Sequence, residues 1–312
     1  MRVLLTGGCG FVGSQVAAQL LSAGDEVVVL DKAPRTDVLN LLLTPDQLAA
    51  LPIESADVAE LDAVTRVAEK HGVESIAHLA YILAPADTAD PMTATRVNAM
   101  GMIAVLETAK RLGLRRVAWA SSLGTYGPPL DRPIRDDTLP NPRNIYGAAK
   151  VLNEQQARAY KEEHGVDSIG VRFGVGYGPG RLQGWVTVTE LLRHAALGLP
   201  FTMPAAGTGM PWICVKDEAS AIVAALKAPG PVKRHVYSLP GDLRTMDARV
   251  DFLRRLVPEA RLELEPGSPP PWDYEVSAVT DELGWKPAYT MEAGFTETVN
   301  VYRAEAGLPL VG

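Results

Sequence analysis

The stretch Val3-Leu4-Leu5-Thr6-Gly7-Gly8-Cys9-Gly10-Phe11-Val12-Gly13 decides the fold of this chain. Its continuous apolar start, at positions 3 to 5, is typical of a strand buried on both faces of a parallel sheet. The glycines at positions 7, 10 and 13 then allow a tight turn, a close approach of the backbone to a ligand and close packing of a helix. We predict that helix from Ser14 to Ser22, and the free amides at its start can hold a pyrophosphate. The predicted dinucleotide contacts in this stretch are Gly7, Gly10, Phe11, Val12 and Gly13.

An acidic residue ends the next predicted strand. Asp31 follows the apolar run Glu26 to Leu30, and it lies about 20 positions after the glycines, the spacing at which a carboxylate binds a ribose diol and repels a 2′-phosphate. Strand, glycines, helix, strand and acid in this order predict an NAD site. Lys32, which we include among the cofactor contacts, and Arg35 could tolerate a phosphate, so NADP stays open as an alternative.

Strand-like and helical segments alternate along most of the chain. Beyond the first two strands, we predict strands at 52–56, 75–80, 116–120 and 168–172. This alternation predicts an α/β fold with a Rossmann-type doubly wound parallel sheet. The pattern loosens after the glycine-rich segment 173–180, which indicates a smaller C-terminal substrate-binding lobe. We therefore place an NAD-binding domain at residues 1–173 plus about 211–240, and the lobe at about 174–210 and 241–312.

Composition and charge exclude several functional classes. With 312 residues, 47% hydrophobic and 21% charged, the chain has an ordinary globular composition. A net charge of −7 without a basic run argues against nucleic-acid binding. Two cysteines give no disulfide framework, and we see no signal-peptide core and no bilayer-spanning stretch, so we expect a cytoplasmic protein without a membrane partner. The five histidines are scattered, and no metal site is predicted.

Two later strand ends add candidate cofactor contacts. Asp57-Val58 follows the third predicted strand, where the Asp57 carboxylate could meet an adenine amino group or cap the following helix, and both interpretations stay open. Ala80, at the carboxyl end of strand 75–80, would lie under the cofactor, because ligands bind at this edge of open parallel sheets. We interpret His78 in the same strand as a packed side chain and not as a catalyst.

Tyr146-Gly-Ala-Ala-Lys150 supplies the candidate chemistry. Positions i and i+4 share one face of a helix, so the phenol and the ammonium can enter one cleft. A phenol is a poor base at neutral pH, and a fixed cation beside it favours the phenolate. Lowering its pKa by about three units corresponds to roughly 4 kcal/mol. The alternative for an isolated pair of this kind is a solvated helix face.

Several motifs occur in an order that resembles a known family. They are Thr6 to Gly13, Asp31, Asp57-Val58, His78-Leu79-Ala80, Asn98, Ser121-Ser122 before Tyr126-Gly127, Tyr146 with Lys150, Arg172 before Tyr177-Gly178-Pro179-Gly180, and Leu283 to Pro287. Together they resemble the extended short-chain dehydrogenase/reductase superfamily, in its NAD-dependent epimerase/dehydratase branch. The resemblance covers nearly the whole chain.

The resemblance implies a Ser-Tyr-Lys catalytic site. Tyr146 would exchange a proton with a substrate hydroxyl or carbonyl oxygen, and Lys150 would lower the pKa of Tyr146 and bind the nicotinamide ribose. Ser122 would hold the same substrate oxygen, with a turn or cap hydroxyl as its alternative role. The implied reaction is hydride transfer between a carbinol carbon and the nicotinamide.

The same resemblance implies further contacts and a partner. The additional cofactor contacts are Leu79, Tyr81, Asn98, Ser121, Phe173 and Val175, besides Tyr146 and Lys150. Asn98 is also open to a structural role between backbone segments. The family further implies a homodimer, built through a four-helix bundle from helices near 93–112 and 146–164.

Three positions depart from the pattern of enzymes in this branch that act on sugar nucleotides. Met210 and Glu265 stand where those enzymes have arginines for the diphosphate, and Val175 stands where they have an asparagine. Losing two charge-assisted contacts would cost on the order of 3–6 kcal/mol. Leu123-Gly124 replaces the acidic pair of the dehydratases, which argues against dehydration.

The candidate substrate pocket is apolar. Its predicted substrate contacts are Tyr81, Leu123, Gly124, Val175 and Met210, and Ile82, Leu83, Trp185, Met203 and Trp272 are further candidate walls. The leading hypothesis is an NAD-dependent dehydrogenase or reductase for a small, uncharged secondary alcohol or ketone. The alternatives are a nucleotide-sugar 4-epimerase and a non-catalytic dinucleotide-sensing protein.

Overall fold

The glycine-rich stretch connects the first strand and the first helix of an α/β fold. The computed structural model describes residues 1–83, 85–127, 133–267 and 272–312. The strands are β1 (Arg2–Thr6), β2 (Glu26–Asp31), β3 (Ile53–Ser55), β4 (Ser75–His78), β5 (Arg116–Ser122), β6 (Ile134–Arg135), β7 (Ser168–Phe173), β8 (Val175–Tyr177), β9 (Pro200–Ala206), β10 (Trp212–Cys214), β11 (Val236–Ser238), β12 (Arg261–Pro266) and β13 (Tyr274–Glu275).

Helices separate most of these strands. They are α1 (Phe11–Ser22), α2 (Pro45–Ala50), α3 (Leu61–Lys70), α4 (Ala86–Ala89), α5 (Pro91–Thr95), α6 (Gly101–Leu112), α7 (Ile145–His164), α8 (Thr187–Leu197), α9 (Val215–Lys227), α10 (Met246–Leu256), α11 (Ala278–Leu283) and α12 (Met291–Glu305). A π-helical turn, Arg96–Met100, joins α5 to α6, so the helix predicted at 93–112 is interrupted. The sequence also predicts proline-rich loops at 128–144 and 266–271, which are only partly described, since 128–132 and 268–271 lie outside the described residues.

Seven of the described strands form one parallel sheet in the order β11-β7-β5-β4-β1-β2-β3. In β1, Leu4 pairs with Val28 of β2 on one side and with Ile76 of β4 on the other. The chain moves outward from β1 through β2 and β3, then returns to β4 on the opposite side of β1. This reversal opens a crevice at the carboxyl ends of β1 and β4. The predicted Rossmann-type fold is confirmed.

Different helices bury the two faces of the sheet. Leu5 belongs to an apolar cluster with Val16 of α1 and Ile222 of α9. Leu4 belongs to a second cluster, which includes Val105 of α6. Successive side chains of a strand point to opposite faces, so the apolar run of β1 contributes to both layers.

A third apolar cluster lies outside the main sheet. Leu191 of α8, Leu253 of α10 and Phe295 of α12 pack there with Trp212 of β10. Residues 212–214, which the sequence assigned to the NAD-binding domain, pair with β8 and do not join the seven-stranded sheet. The two-domain division itself stays a proposal. Among the described helices, none is long and apolar enough to cross a membrane.

Candidate active site

A cavity of about 700 Å³ follows the carboxyl edge of the sheet. Its walls come from the ends of strands that are far apart in sequence, including Gly7 after β1, Asp31 of β2, Ala80 after β4 and Ser122 of β5. Parallel strands place their carboxyl ends at one edge, which is where ligands of open α/β sheets bind. This first cavity is therefore the candidate cofactor site.

The glycine turn is shaped to hold an anion. Gly7 has φ +71°, and a Cβ there would lie 2.6 Å from the backbone nitrogen of Ala80. A Cβ on Gly13 would lie 2.2 Å from the carbonyl oxygen of Gly7. Helix α1 starts at Phe11, earlier than predicted, and its N-cap Gly10 offers no side-chain cap. The first amides of α1 can therefore bind a pyrophosphate, and these residues fit the diphosphate of NAD.

The basic residues near Asp31 are paired with acids. Lys32 Nζ lies 3.0 Å from an Asp57 carboxylate oxygen, and Arg35 lies 2.9 Å from Asp37. Asp31 itself lines the first cavity. Because Lys32 and Arg35 are already paired with acids, neither is free to bind a 2′-phosphate, and the Asp31 carboxylate would repel that phosphate. This arrangement fits NAD better than NADP.

Asp57 is held by several donors while it lines the first cavity. Its carboxylate accepts from the Ala59 amide at 3.0 Å and from Arg96 at 2.6 Å. Burial alone would raise the pKa of Asp57, but these hydrogen bonds outweigh it and lower that pKa to about 2. The contact to Ala59 forms a turn before α3, whose N-cap is Glu60 without a side-chain cap, so the capping alternative is wrong and the adenine contact stays a prediction. Val58 is buried and lines the same cavity.

Most of the predicted cofactor contacts line this cavity. Those present in its walls are Gly7, Gly10, Phe11, Val12, Gly13, Asp31, Lys32, Asp57, Val58, Leu79, Ala80, Tyr81, Ser121, Tyr146, Lys150 and Phe173. Asn98 and Val175 are not in its walls. Asn98 is buried and bridges the backbone of Ile82, accepting from its amide at 2.8 Å and donating to its carbonyl at 3.0 Å. The structural role between backbone segments therefore fits Asn98 better than the role of a cofactor contact.

The N-terminus of α7 positions Tyr146 against Ser122. Asn144 caps α7 by accepting from the Gly147 amide at 2.8 Å. A Cβ on Gly147 would lie 2.4 Å from the carbonyl oxygen of Gly124, so glycine lets α7 approach the turn Leu123–Tyr126. Ser122 Oγ accepts from the Gly124 amide at 3.0 Å, which is the turn role left open for it. Ser122 also lines the cavity with Tyr146, so both roles are available to it.

Lys150 is placed differently from the sequence expectation. Its ammonium donates to the carbonyl oxygen of Ala120 at 2.7 Å and lies 3.4 Å from the ring centroid of Tyr81. The ring centroid of Tyr146 is 5.8 Å away. Burial lowers the pKa of Lys150 to about 7, against the opposing effect of Glu154. The Lys150 ammonium thus contacts Ala120 and Tyr81 more closely than it contacts Tyr146.

The pKa of Tyr146 is raised, whereas the sequence predicted that it would be lowered. Burial raises the pKa of Tyr146, and the Ser122 hydroxyl and the charge of Arg181 oppose that rise. The sequence argument expected Lys150 to lower this pKa. The loss of water around the phenol is the larger effect, because Lys150 points its ammonium to Ala120 and Tyr81. The catalytic roles of Ser122, Tyr146 and Lys150 remain predictions.

A second cavity of about 420 Å³ adjoins the first. The two share wall residues at their junction, namely Leu83, Ser122, Tyr146, Phe173, Gly174 and Arg181. Among the predicted substrate contacts, Leu123, Gly124, Val175 and Met210 line the second cavity, whereas Tyr81 lines the first. Of the further candidate walls, Leu83, Trp185 and Trp272 line the second cavity, Ile82 lines the first, and Met203 lines neither.

The sequence reasoning missed four charged residues in these walls, one of which is Asp37 of the first cavity. Arg143 and Arg181 line the second cavity, and Glu218 lines the first together with Arg181. Arg181 directly follows the glycine-rich segment 173–180, and this position could have drawn attention to it. Conversely, Glu265 is exposed on β12 and is in neither wall. The assignment of Glu265 to the diphosphate-binding position of the substrate site is therefore wrong.

His78 behaves as a structural residue. His78 is buried, and its Nδ1 shares a 2.8 Å hydrogen bond with the Thr6 hydroxyl. Burial, with a smaller effect of Lys150, lowers the pKa of His78 to about 3, so its ring is neutral. The prediction of a packed histidine is confirmed. Across the described ranges, no group of three His, Cys, Asp or Glu residues is arranged to hold a metal.

Comparisons with known proteins agree with this geometry. Residues 3–239 match the model of the NAD dependent epimerase/dehydratase family. The chain is 28% identical to a UDP-glucose 4-epimerase of Azospirillum brasilense, over 92% of this chain and 88% of that protein. It is 29% identical to a D-erythronate dehydrogenase of Cupriavidus necator, over 99% of both. It is also similar to the solved structure of a UDP-glucose 4-epimerase of Thermus thermophilus in complex with NAD, with TM-score 0.81 and 25% identity over 97% of this chain and 99% of that one.

Proposed function

Since this chain belongs to the NAD dependent epimerase/dehydratase family and is thus an NAD-dependent enzyme, we propose that it is a dehydrogenase or reductase. The proposed reaction is hydride transfer between the nicotinamide and a small, non-nucleotide secondary alcohol or ketone. The observation that carries this proposal is the position of Ser122 and Tyr146 in the walls of both cavities. These two residues can therefore contact both a cofactor in the first cavity and a substrate in the second.

The residues where the two cavities meet have different roles in alcohol oxidation. Ser122 holds the substrate hydroxyl, and the phenol oxygen of Tyr146 takes its proton as the C–O bond becomes a carbonyl. NAD bound in the first cavity supplies the hydride acceptor. The charge of Arg181 and the Ser122 hydroxyl favour the ionised phenol and oppose the rise that burial causes in the Tyr146 pKa. Lys150 would bind the nicotinamide ribose. In the reverse direction Tyr146 returns the proton to the carbonyl oxygen.

The walls of the second cavity favour a small apolar substrate. Val175 and Met210 contribute apolar surface there, as do Trp185 and Trp272. Because Val175 and Met210 carry no charge, the oxygens of a pyrophosphate would be poorly paired beside them. The similarity to the D-erythronate dehydrogenase supports a non-nucleotide substrate.

A second candidate is a nucleotide-sugar 4-epimerase. Arg143 and Arg181 line the second cavity, and guanidinium groups bind phosphates well. The similarity to the UDP-glucose 4-epimerase supports the same candidate. In that reaction the same Ser122, Tyr146 and Lys150 would serve both hydride removal and return.

One assay separates the two candidates. Secondary alcohols, ketones and UDP-sugars are incubated with NAD, NADP or their reduced forms, and nicotinamide absorbance is followed. The dehydrogenase predicts stoichiometric change in added cofactor with a small alcohol or ketone. An epimerase predicts conversion of a UDP-sugar without net change in added cofactor, and that result would overturn the dehydrogenase proposal.

We also propose a cytoplasmic homodimer. The helices predicted for the dimer interface correspond to α5, α6 and α7, with the π-helical turn Arg96–Met100 between α5 and α6. Met100 in that turn and Leu152 on α7 expose about half of their surface. Large apolar side chains on these helices support burial against a second copy. Analytical ultracentrifugation of the wild type and of a Leu152→Glu variant tests this, with a dimer expected only for the wild type.

A further inference from the structure

Glu218, in the first turn of α9, is a buried carboxylic acid that the proposed mechanism does not use. It is 2% exposed and lines the first cavity. Within the described part of the chain, no group donates a hydrogen bond to its carboxyl oxygens and no cation lies within ion-pair distance. Burying a carboxyl group without a hydrogen-bond partner costs free energy. We therefore expect a ligand that enters the cavity to supply that partner.

Gly176 makes room for this carboxyl. A Cβ at Gly176 would lie 2.5 Å from one carboxyl oxygen of Glu218 and 2.7 Å from the other. The Glu218 head group thus occupies the space that any other side chain at position 176 would fill. Arg181 anchors the same segment by donating to the Gly176 carbonyl oxygen at 2.7 Å.

The neighbouring acid, Asp217, is hydrogen-bonded to the backbone of another segment. Asp217 accepts from the backbone amides of Ala288 and Tyr289 at 2.8 and 3.1 Å. Burial raises the pKa of Glu218 to about 8, while the charge of Arg181 opposes that rise and Asp217 adds to it. Glu218 can therefore act both as a hydrogen-bond acceptor and, when protonated, as a donor.

The position of Glu218 along the first cavity defines what it can meet. Asp31 and the glycine turn line this cavity together with Glu218, Tyr146, Arg181 and Gly176. Glu218 lies near enough to Tyr146 and Arg181 for their charges to act on one another, and its carboxyl faces Gly176. A dinucleotide with a ribose at Asp31 and its pyrophosphate at the glycine turn places its nicotinamide half toward Tyr146. The polar substituent of that ring is a carboxamide, with two N–H donors and one acceptor oxygen.

We propose that Glu218 binds the carboxamide of the nicotinamide, and that Gly176 is glycine because only glycine admits the Glu218 head group. This inference rests on the proposed NAD chemistry and adds a cofactor-binding residue to it. The carboxamide NH₂ donates to the Glu218 carboxylate. When Glu218 is protonated, its hydroxyl donates to the carboxamide oxygen, so either form pairs with this group.

Calorimetric binding of three ligands tests the inference. NAD⁺ carries the carboxamide, 3-acetylpyridine adenine dinucleotide has an acetyl group in its place, and ADP-ribose lacks the ring. The titrations are run at about pH 9, above the raised pKa of Glu218, where this group is a carboxylate that accepts from the carboxamide NH₂ but finds no donor on the acetyl group. Under these conditions Glu218→Met should weaken NAD⁺ binding by about tenfold or more, as expected for a hydrogen bond to a charged group. Binding of ADP-ribose and of the acetylpyridine analogue should change less than about threefold, and Glu218→Gln should retain most of the NAD⁺ affinity.

Two further variants keep the test decisive. Gly176→Ala leaves the carboxyl in the chain but displaces it, so it should reproduce the ligand-selective loss if Glu218→Met fails to fold. Glu297→Met removes an acid that pairs with Lys216 outside both cavities and should change none of the affinities. Equal losses for all three ligands, or unchanged NAD⁺ affinity, would overturn the inference.

The binding readout also separates this inference from the proposed reaction. If the NAD⁺-selective loss occurs but no alcohol or ketone is turned over, the carboxamide contact stands and the dehydrogenase proposal fails. If turnover occurs and the loss is unselective, the reaction stands and the role of Glu218 is wrong. A wild-type protein that does not bind NAD⁺ would overturn both.

Discussion

The guanidinium of Arg172 donates to both carboxylate oxygens of Glu154, at 2.8 and 2.6 Å. Both side chains are nearly buried, and Glu154 also accepts from the Ser121 hydroxyl at 2.6 Å. Arg172 lies on β7, Glu154 on α7 and Ser121 on β5. This network therefore joins the three elements that carry or support Ser122, Tyr146 and Lys150.

Removing one member of this network should destabilise the protein strongly. We expect Arg172→Met to lower the free energy of unfolding by about 3–5 kcal/mol, because it leaves the Glu154 carboxylate buried without its cation. Urea unfolding followed by circular dichroism measures this change. Arg135→Met is the matched control, since its partner Glu275 and Arg135 itself are about 60% exposed, and it should cost less than about 1 kcal/mol. Equal effects of the two variants would contradict the role given to the buried network.

Asp31 should set the preference for NAD. We expect Asp31→Asn to reduce the ratio of NAD to NADP affinity by about tenfold, since the variant loses the charge that binds the ribose diol and repels a 2′-phosphate. Lys32 and Arg35 remain paired with Asp57 and Asp37 in the structure. Fluorescence titration with the two reduced cofactors measures both affinities. Asp46→Asn, on α2 outside the first cavity, is the control. An unchanged ratio of NAD to NADP affinity in Asp31→Asn would contradict the role given to Asp31.

The stability of the ligand-free protein should depend on Glu218 and pH. The pKa of Glu218 is raised by burial from 4.5 to about 8, so between these values the folded state holds a proton that the unfolded chain releases. Stability from this group is therefore greatest below about pH 4.5 and falls as the pH rises toward 8. Glu218→Gln removes that titration. Its melting temperature relative to wild type should rise by several degrees from pH 5 to pH 8, because each pKa unit corresponds to about 1.4 kcal/mol. A difference that stays constant over this range would refute the raised pKa.

The sequence predicted the sheet and most of the cofactor site because both depend on local patterns. The apolar run of β1, the glycines at 7 and 13 and the acid at 31 are close in sequence, and their spacing predicts their geometry. The resemblance added Ser122 to the helical pair Tyr146 and Lys150, and all three line the first cavity. These elements lie where the pattern indicated, within a few residues.

The remaining features depend on packing between distant segments. Gly176 and Glu218 lie on β8 and α9, and only their contact across the fold reveals a carboxyl in the first cavity. The pKa directions of Tyr146 and Lys150 follow from burial and from the contact with Tyr81, which spacing along one helix does not determine. Glu265 illustrates the opposite error, because a register inferred from a motif placed an exposed residue at the substrate.

The central claim is that the phenol of Tyr146 transfers the substrate proton during hydride exchange with NAD. The most direct test is steady-state turnover of Tyr146→Phe on the best alcohol or ketone found for the wild type, together with NAD⁺ affinity from calorimetry. We predict a fall in kcat of about 10²–10⁴-fold with nearly unchanged NAD⁺ affinity, and wild-type kinetics for the control Tyr160→Phe, whose hydroxyl contacts Glu107 away from both cavities. Wild-type turnover by Tyr146→Phe would contradict the account.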